Sequence, residues 1–134
     1  MQKKINLSLF LALIVIFTLL LAACGGVGDG GAESTTAGEE LFSQSTIGTT
    51  AGCKTCHSIE PDIVIVGPSL AGIGTRAAST VPDMTAEEYL KESILKPDAY
   101  VAEGFPAKVM PNVWAQQLTD AQVESLVEYM LTLK

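Results

Sequence analysis

The sequence predicts one small all-α domain, on three observations. Three pairs, Thr36/Glu39, Thr85/Glu88 and Thr119/Gln122, have the Thr-x-x-Glu/Gln spacing of a capping box that opens a helix. No stretch alternates apolar and polar residues for long enough to specify a strand. The chain has 134 residues, the length of one domain behind an N-terminal leader and a short tether.

The first helix is expected from Thr36 through Glu40-Leu41-Phe42 to about Ser45. Gly48, Gly52 and the threonines between them then form a loop. Ile63 to Val66 is apolar and β-branched, but four residues between Pro61 and Gly67-Pro68 suggest a packed loop. The second helix runs from Thr85 to just before Pro97, with Leu90 and Ile94 four apart on one face and Tyr89 alongside. The third follows Thr119, where Val123, Leu126, Val127, Met130 and Leu131 repeat at the spacing of one buried face.

The leader has its own grammar. Lys3 and Lys4 precede an apolar core from Leu9 to Leu21, which ends in Leu21-Ala22-Ala23-Cys24. A basic start, an apolar core and small residues before a cleavage point describe an export signal. Leu-Ala-Ala-Cys resembles the lipobox of bacterial lipoproteins, in which the cysteine becomes the first mature residue and carries lipid. The alternative is an uncleaved membrane anchor, since Ile5 to Ala23 is nearly long enough to span. Either way the globular part is expected outside the cytoplasm, on the periplasmic or extracellular face. The expected division is a signal peptide over 1–23, lipidated Cys24 with a Gly-rich flexible tether over 24–36, and one domain over 37–134.

The densest chemistry lies in Cys53-Lys54-Thr55-Cys56-His57, a C-x-x-C-H run. Two thiols three residues apart can add to the two vinyl groups on one edge of a haem, and the histidine that follows is carried under the iron. Half a zinc site or a thioredoxin-like redox pair would share the two cysteines. Zinc needs about four ligands, more than this chain offers, and a redox pair needs a βαβ setting that the sequence lacks. His57 is the one histidine of the chain, and Cys24, Cys53 and Cys56 are its three cysteines. With lipid on Cys24 and haem on the other two, no cysteine remains for a disulfide.

Charge limits the partners. The whole chain carries −7, and removing Lys3 and Lys4 leaves six basic against fifteen acidic residues, a net charge of −9. Such acidity argues against nucleic acid and against adhesion to anionic lipid.

Beyond the haem motif, the chain resembles class I monohaem cytochromes c over 37–134. Gly38 and Phe42 match the glycine and aromatic of the family's first helix, and Leu126 and Tyr129 match the last helix that crosses it. Gly67-Pro68-Ser69-Leu70 resembles the segment on the histidine side of the haem, and Gly104-Phe105-Pro106-Ala107-Lys108-Val109-Met110-Pro111 resembles the distal loop. The resemblance implies a small cytochrome c fold with crossing terminal helices and one covalently bound haem c in a crevice. It implies thioether bonds from Cys53 and Cys56, axial ligation by His57 and Met110, a hydrogen bond from the His57 ring to the Pro68 carbonyl, and a propionate contact from Arg76. Met130 falls on the core face of the last helix and Met84 lacks the flanking pattern, so Met110 is the expected sixth ligand. Tyr100, Phe105 and Trp114 flank the same region and are expected to wall the crevice.

With both axial positions filled, the implied activity is one-electron transfer without substrate catalysis. The stretch from Tyr89 to Pro111 is similar to cytochrome c domains of respiratory complexes: subunit II of some haem–copper oxidases and the monohaem subunit of alternative complex III. The implied partners are redox proteins of a membrane respiratory or photosynthetic chain, served as a subunit or as a shuttle. The alternative is a peroxidase-like enzyme or a gas or redox sensor with an open sixth site.

Overall fold

A computed structural model describes residues 30–134, and its first helix is α1 (Gly30–Phe42). A hairpin follows, β1 (Thr46–Ile47) paired antiparallel with β2 (Thr50–Ala51), and leads into a 3-10 turn at Cys53–Thr55. After a long loop come α2 (Ile73–Arg76), a 3-10 turn at Ala77–Ser79 and α3 (Ala86–Leu95). A second long loop leads to α4 (Trp114–Gln117) and the last helix, α5 (Asp120–Thr132). The expected all-α class holds.

The centre of the fold is the crossing of α1 on α5, its most extensive helix contact. Gly38 makes that crossing possible, because a Cβ there would overlap the Ser125 carbonyl of α5. Phe42 and Tyr129 then pack at 5.6 Å between ring centroids with a 49° tilt. Leu126 and Val123 are the most deeply buried large side chains, with Val127 and Met130 beside them, as the helical spacing required. Leu131 is only partly buried at the margin of this core.

Two of the three capping boxes are present. Thr85 Oγ1 accepts from Glu88 N at 3.2 Å while Thr85 N donates to Glu88 Oε2 at 2.8 Å, opening α3. Thr119 and Gln122 repeat the exchange at 3.2 and 2.9 Å, opening α5. The third expectation is corrected. α1 is already helical at Gly30, so Thr36 lies inside it, donating its hydroxyl to the Ala32 carbonyl at 3.0 Å. Residues 30–36 are therefore helix rather than tether. The physical reason is tertiary: α5 supplies a surface for the extra turns, with Ser34 Oγ 3.2 Å from Ser125 Oγ. The signal peptide, lipidation at Cys24 and the tether's first residues lie outside the described residues. Among the described residues, no helix is long and apolar enough to cross a membrane.

The loop at Ile63–Val66 departs from expectation as well. It is not packed: its four side chains are 48–62% exposed. Its backbone is held by an antiparallel bridge between His57 and Val64 and by Val66 N and Gly67 N, which both donate to Cys56 O.

Candidate cofactor site

The 3-10 turn at Cys53–Thr55 sets the geometry of the motif. Cys56 N and His57 N both donate to the Cys53 carbonyl, at 3.1 and 2.9 Å, winding the five residues into a tight coil. Thr55 Oγ1 closes the turn by donating to Gly52 O at 2.6 Å. Burial pushes the Cys53 thiol up, against the hydrogen bond at its own backbone.

His57 is fixed from the opposite strand of chain. Its Nδ1 lies 2.9 Å from the Pro68 carbonyl oxygen. A carbonyl only accepts, so Nδ1 carries the proton and Nε2 keeps its lone pair for a metal. Burial pushes the imidazolium below its ordinary pKa, partly opposed by the Pro68 hydrogen bond, so the ring is neutral at pH 7. Gly67 gives the ring its room: a Cβ there would stand 2.5 Å from His57 Cε1.

A crevice opens over this ring, lined by Cys53, His57 and Met110 together with apolar side chains from α1, α3 and α5. A second hollow shares Cys53, His57, Met110 and Trp114 with it and adds Cys56. The two hollows adjoin along these shared residues; the thiols, the imidazole and the thioether of Met110 border them, and a second thioether, Met130, reaches the first. That donor set suits a large, flat, apolar group with a soft iron centre. One polar feature fits the same group. The indole Nε1–H of Trp114 is buried with no hydrogen-bond partner among the described residues, and it borders both hollows. A carboxylate on the edge of a bound group would satisfy it.

The comparisons with known proteins agree. Residues 35–134 match the family described as Cytochrome c. A cytochrome c2 iso-2 from Magnetospirillum molischianum is 33% identical over 90 residues, which cover 61% of this chain and 91% of that protein. The chain belongs to the cytochrome c family. As a cytochrome c it binds haem c covalently, carries electrons, and has redox proteins as its partners.

The cytochrome's other site residues fall into three groups. Met110 borders both hollows with His57, whereas Met84 borders neither, and Met130 reaches the crevice from the core face of α5. Trp114 is a buried wall of the crevice, while Tyr100 and Phe105 line an outer hollow beside Met110. Arg76 braces a loop. Its guanidinium donates to the carbonyls of Ser69 (2.6 Å) and Ala71, bracing the loop that carries Pro68, and it borders an outer cleft rather than the crevice. Its fork matches two carbonyls at once, which gives it a local bracing role.

One contributor was invisible in the sequence. Asp98 Oδ1 accepts from Lys108 N at 2.7 Å, holding the loop two residues before Met110. Lys108 sits at φ 63°, a left-handed conformation that a lysine adopts only when its surroundings impose it. An aspartate after a proline is too common to signal such an anchor.

Proposed function

We propose that this cytochrome is a membrane-tethered single-electron carrier, with haem c bonded to Cys53 and Cys56 and ligated axially by His57 and Met110. The observation that carries this reading is the shared crevice, into which His57 presents an imidazole fixed by Pro68 and which Met110 also borders. When bound, the haem supplies an iron that alternates between ferric and ferrous states.

The chain's own residues do the rest. Pro68 holds the His57 tautomer, and the Gly67 backbone admits the ring. Leu90, Ile94 and Leu126 keep the pocket apolar. Met110 offers a thioether, a soft donor that favours the ferrous state and raises the potential. Pro106, Pro111 and the Asp98–Lys108 bond stiffen the distal loop, so that a weak ligand is held in place. Trp114 Nε1–H would donate to a haem carboxylate. Two filled axial positions leave no open site for substrate.

The tether rests on the sequence: lipid on Cys24, export by residues 1–23, and a position on the outer face of a membrane as subunit of, or shuttle to, a respiratory or photosynthetic complex. Carbon monoxide tests the closed site. The ferrous protein produced with haem c maturation factors should not bind it. Ready binding would move the protein to the peroxidase or sensor class. Incorporation of labelled palmitate that Cys24→Ala abolishes tests the anchor.

A further inference from the structure

Two distant stretches of chain line the second hollow, and one hydrogen bond joins them. Gly52, Cys53 and Cys56 come from the first stretch, and Met110, Pro111 and Trp114 from the second. Gln117 Nε2 donates to Thr50 Oγ1 at 2.9 Å, across 67 residues of sequence. Thr50 lies in β2, three residues before Cys53, and Gln117 ends α4, seven residues after Met110. Among the described residues this is the one hydrogen bond between 46–72, which carries the C-x-x-C-H motif, and 98–118, which carries Met110.

Both ends of the bond are fixed by their own backbones. Gln117 N donates to Val113 O at 3.2 Å and Leu118 N to Trp114 O at 2.9 Å, closing the single turn that begins at buried Trp114. Gly52 N donates to Ser45 O at 2.9 Å, tying the base of the hairpin just before Cys53. The hairpin turn makes room for the carboxamide at Gly48, where a Cβ would stand 3.3 Å from Gln117 Oε1.

Gln117 is not filler. Its Oε1 is buried with no partner among the described residues, a cost that an aliphatic side chain of the same size avoids. What the amide contributes is therefore its bond to Thr50. That bond stands whichever way the amide is turned, since a hydroxyl both donates and accepts.

We propose that Gln117 and Thr50 are positioning residues, a clasp that ties the Met110 segment to the hairpin and sets how often the thioether leaves the iron. The proposal rests on the reading of Met110 as sixth ligand. With haem bonded to Cys53 and Cys56, the hairpin side is anchored covalently, so a tie to it restrains the segment that carries the weak ligand. The Asp98–Lys108 bond cannot do this, because it closes the distal loop on itself.

The test is the rate at which imidazole binds the ferric, haem-loaded full chain at saturating concentration, where departure of the sixth ligand is limiting. Thr50→Val keeps the side chain's shape without its hydroxyl, and Gln117→Leu removes the amide. Each should speed binding about three- to tenfold, the scale of one neutral hydrogen bond. The double variant should be no faster than either single one, because both lose the same bond. Thr50→Ser, which keeps the hydroxyl, should restore the wild-type rate. Ser34→Ala is the control for stability alone: it breaks the 3.2 Å contact with Ser125 at the helix crossing and should leave the rate unchanged. Wild-type rates in Thr50→Val and Gln117→Leu, or an equal rise in Ser34→Ala, would overturn the clasp while Met110 stands as ligand. Met110→Ala should bind imidazole faster than any clasp variant. A wild type already as fast as Met110→Ala would remove the sixth ligand itself, and the clasp with it.

Discussion

His57 Nδ1 and the Pro68 carbonyl oxygen stand 2.9 Å apart, and Gly67, directly before that proline, lies against the face of the same ring. The two contacts act together. The carbonyl sets which nitrogen holds the proton, and the absent side chain lets the ring lie where Nε2 can ligate. Gly67→Ala keeps the hydrogen-bond acceptor but forces a Cβ to 2.5 Å from Cε1. The variant should lose about 1–3 kcal/mol, the usual penalty for overpacking, and show a weakened fifth ligand. Thermal unfolding of the haem-loaded protein and its Soret spectrum check both.

Asp98 controls the other side. Replacing it with alanine leaves Lys108 N–H without its acceptor and removes the restraint on a left-handed lysine two residues before Met110. The fold should survive, because Asp98 is exposed and lies outside the helices. Carbon monoxide should bind the ferrous variant faster than the wild type, as the distal loop releases its methionine more often.

Trp114 separates packing from hydrogen bonding. Trp114→Phe keeps an aromatic wall and removes the buried, unpartnered Nε1–H. The haem-loaded variant should be destabilised by about 1–3 kcal/mol if that group donates to haem. The haem-free chain should be unaffected or slightly stabilised, because there the N–H has no partner to lose. Equal losses in both forms would show that only the ring's volume matters.

Glu88 gives α3 a pH dependence. Its carboxylate accepts from the Thr85 backbone N–H, and that bond and then the Thr85 hydroxyl hold it below the ordinary value of 4.5. A lowered carboxyl pKa contributes stability that is complete above 4.5 and is lost as pH falls through the folded-state value. Acid unfolding should therefore show a component in that window which Glu88→Gln removes while keeping the cap. Urea midpoints between pH 3 and 6 measure it, about the range over which a carboxyl titrates.

How much the sequence reveals differs between local and long-range features. The boxes at Thr85 and Thr119 are local chemistry, so they read directly and appear as expected. The core face of α5 is equally legible because helical spacing encodes it. Thr36 misleads, because α1 is extended by packing against Ser125 and its neighbours, a surface some ninety residues away. The hairpin at Thr46–Ala51 has two residues per strand, too few for any alternation to register. His57 and Pro68 are legible as motifs, and the hydrogen bond that the resemblance implies between them is present. Arg76 and Asp98 are not, since each takes its role from carbonyls or amides that only the folded loops bring near.

Ligation of the iron by Met110, opposite His57, is visible in the ferric absorption spectrum. The haem-loaded wild type should show the weak near-infrared sulfur-to-iron band of a low-spin His/Met haem, and Met110→Ala should abolish it while Met84→Ala and Met130→Leu keep it. A wild-type spectrum that is high-spin without the band, or a band that survives Met110→Ala, would show that Met110 is not the ligand.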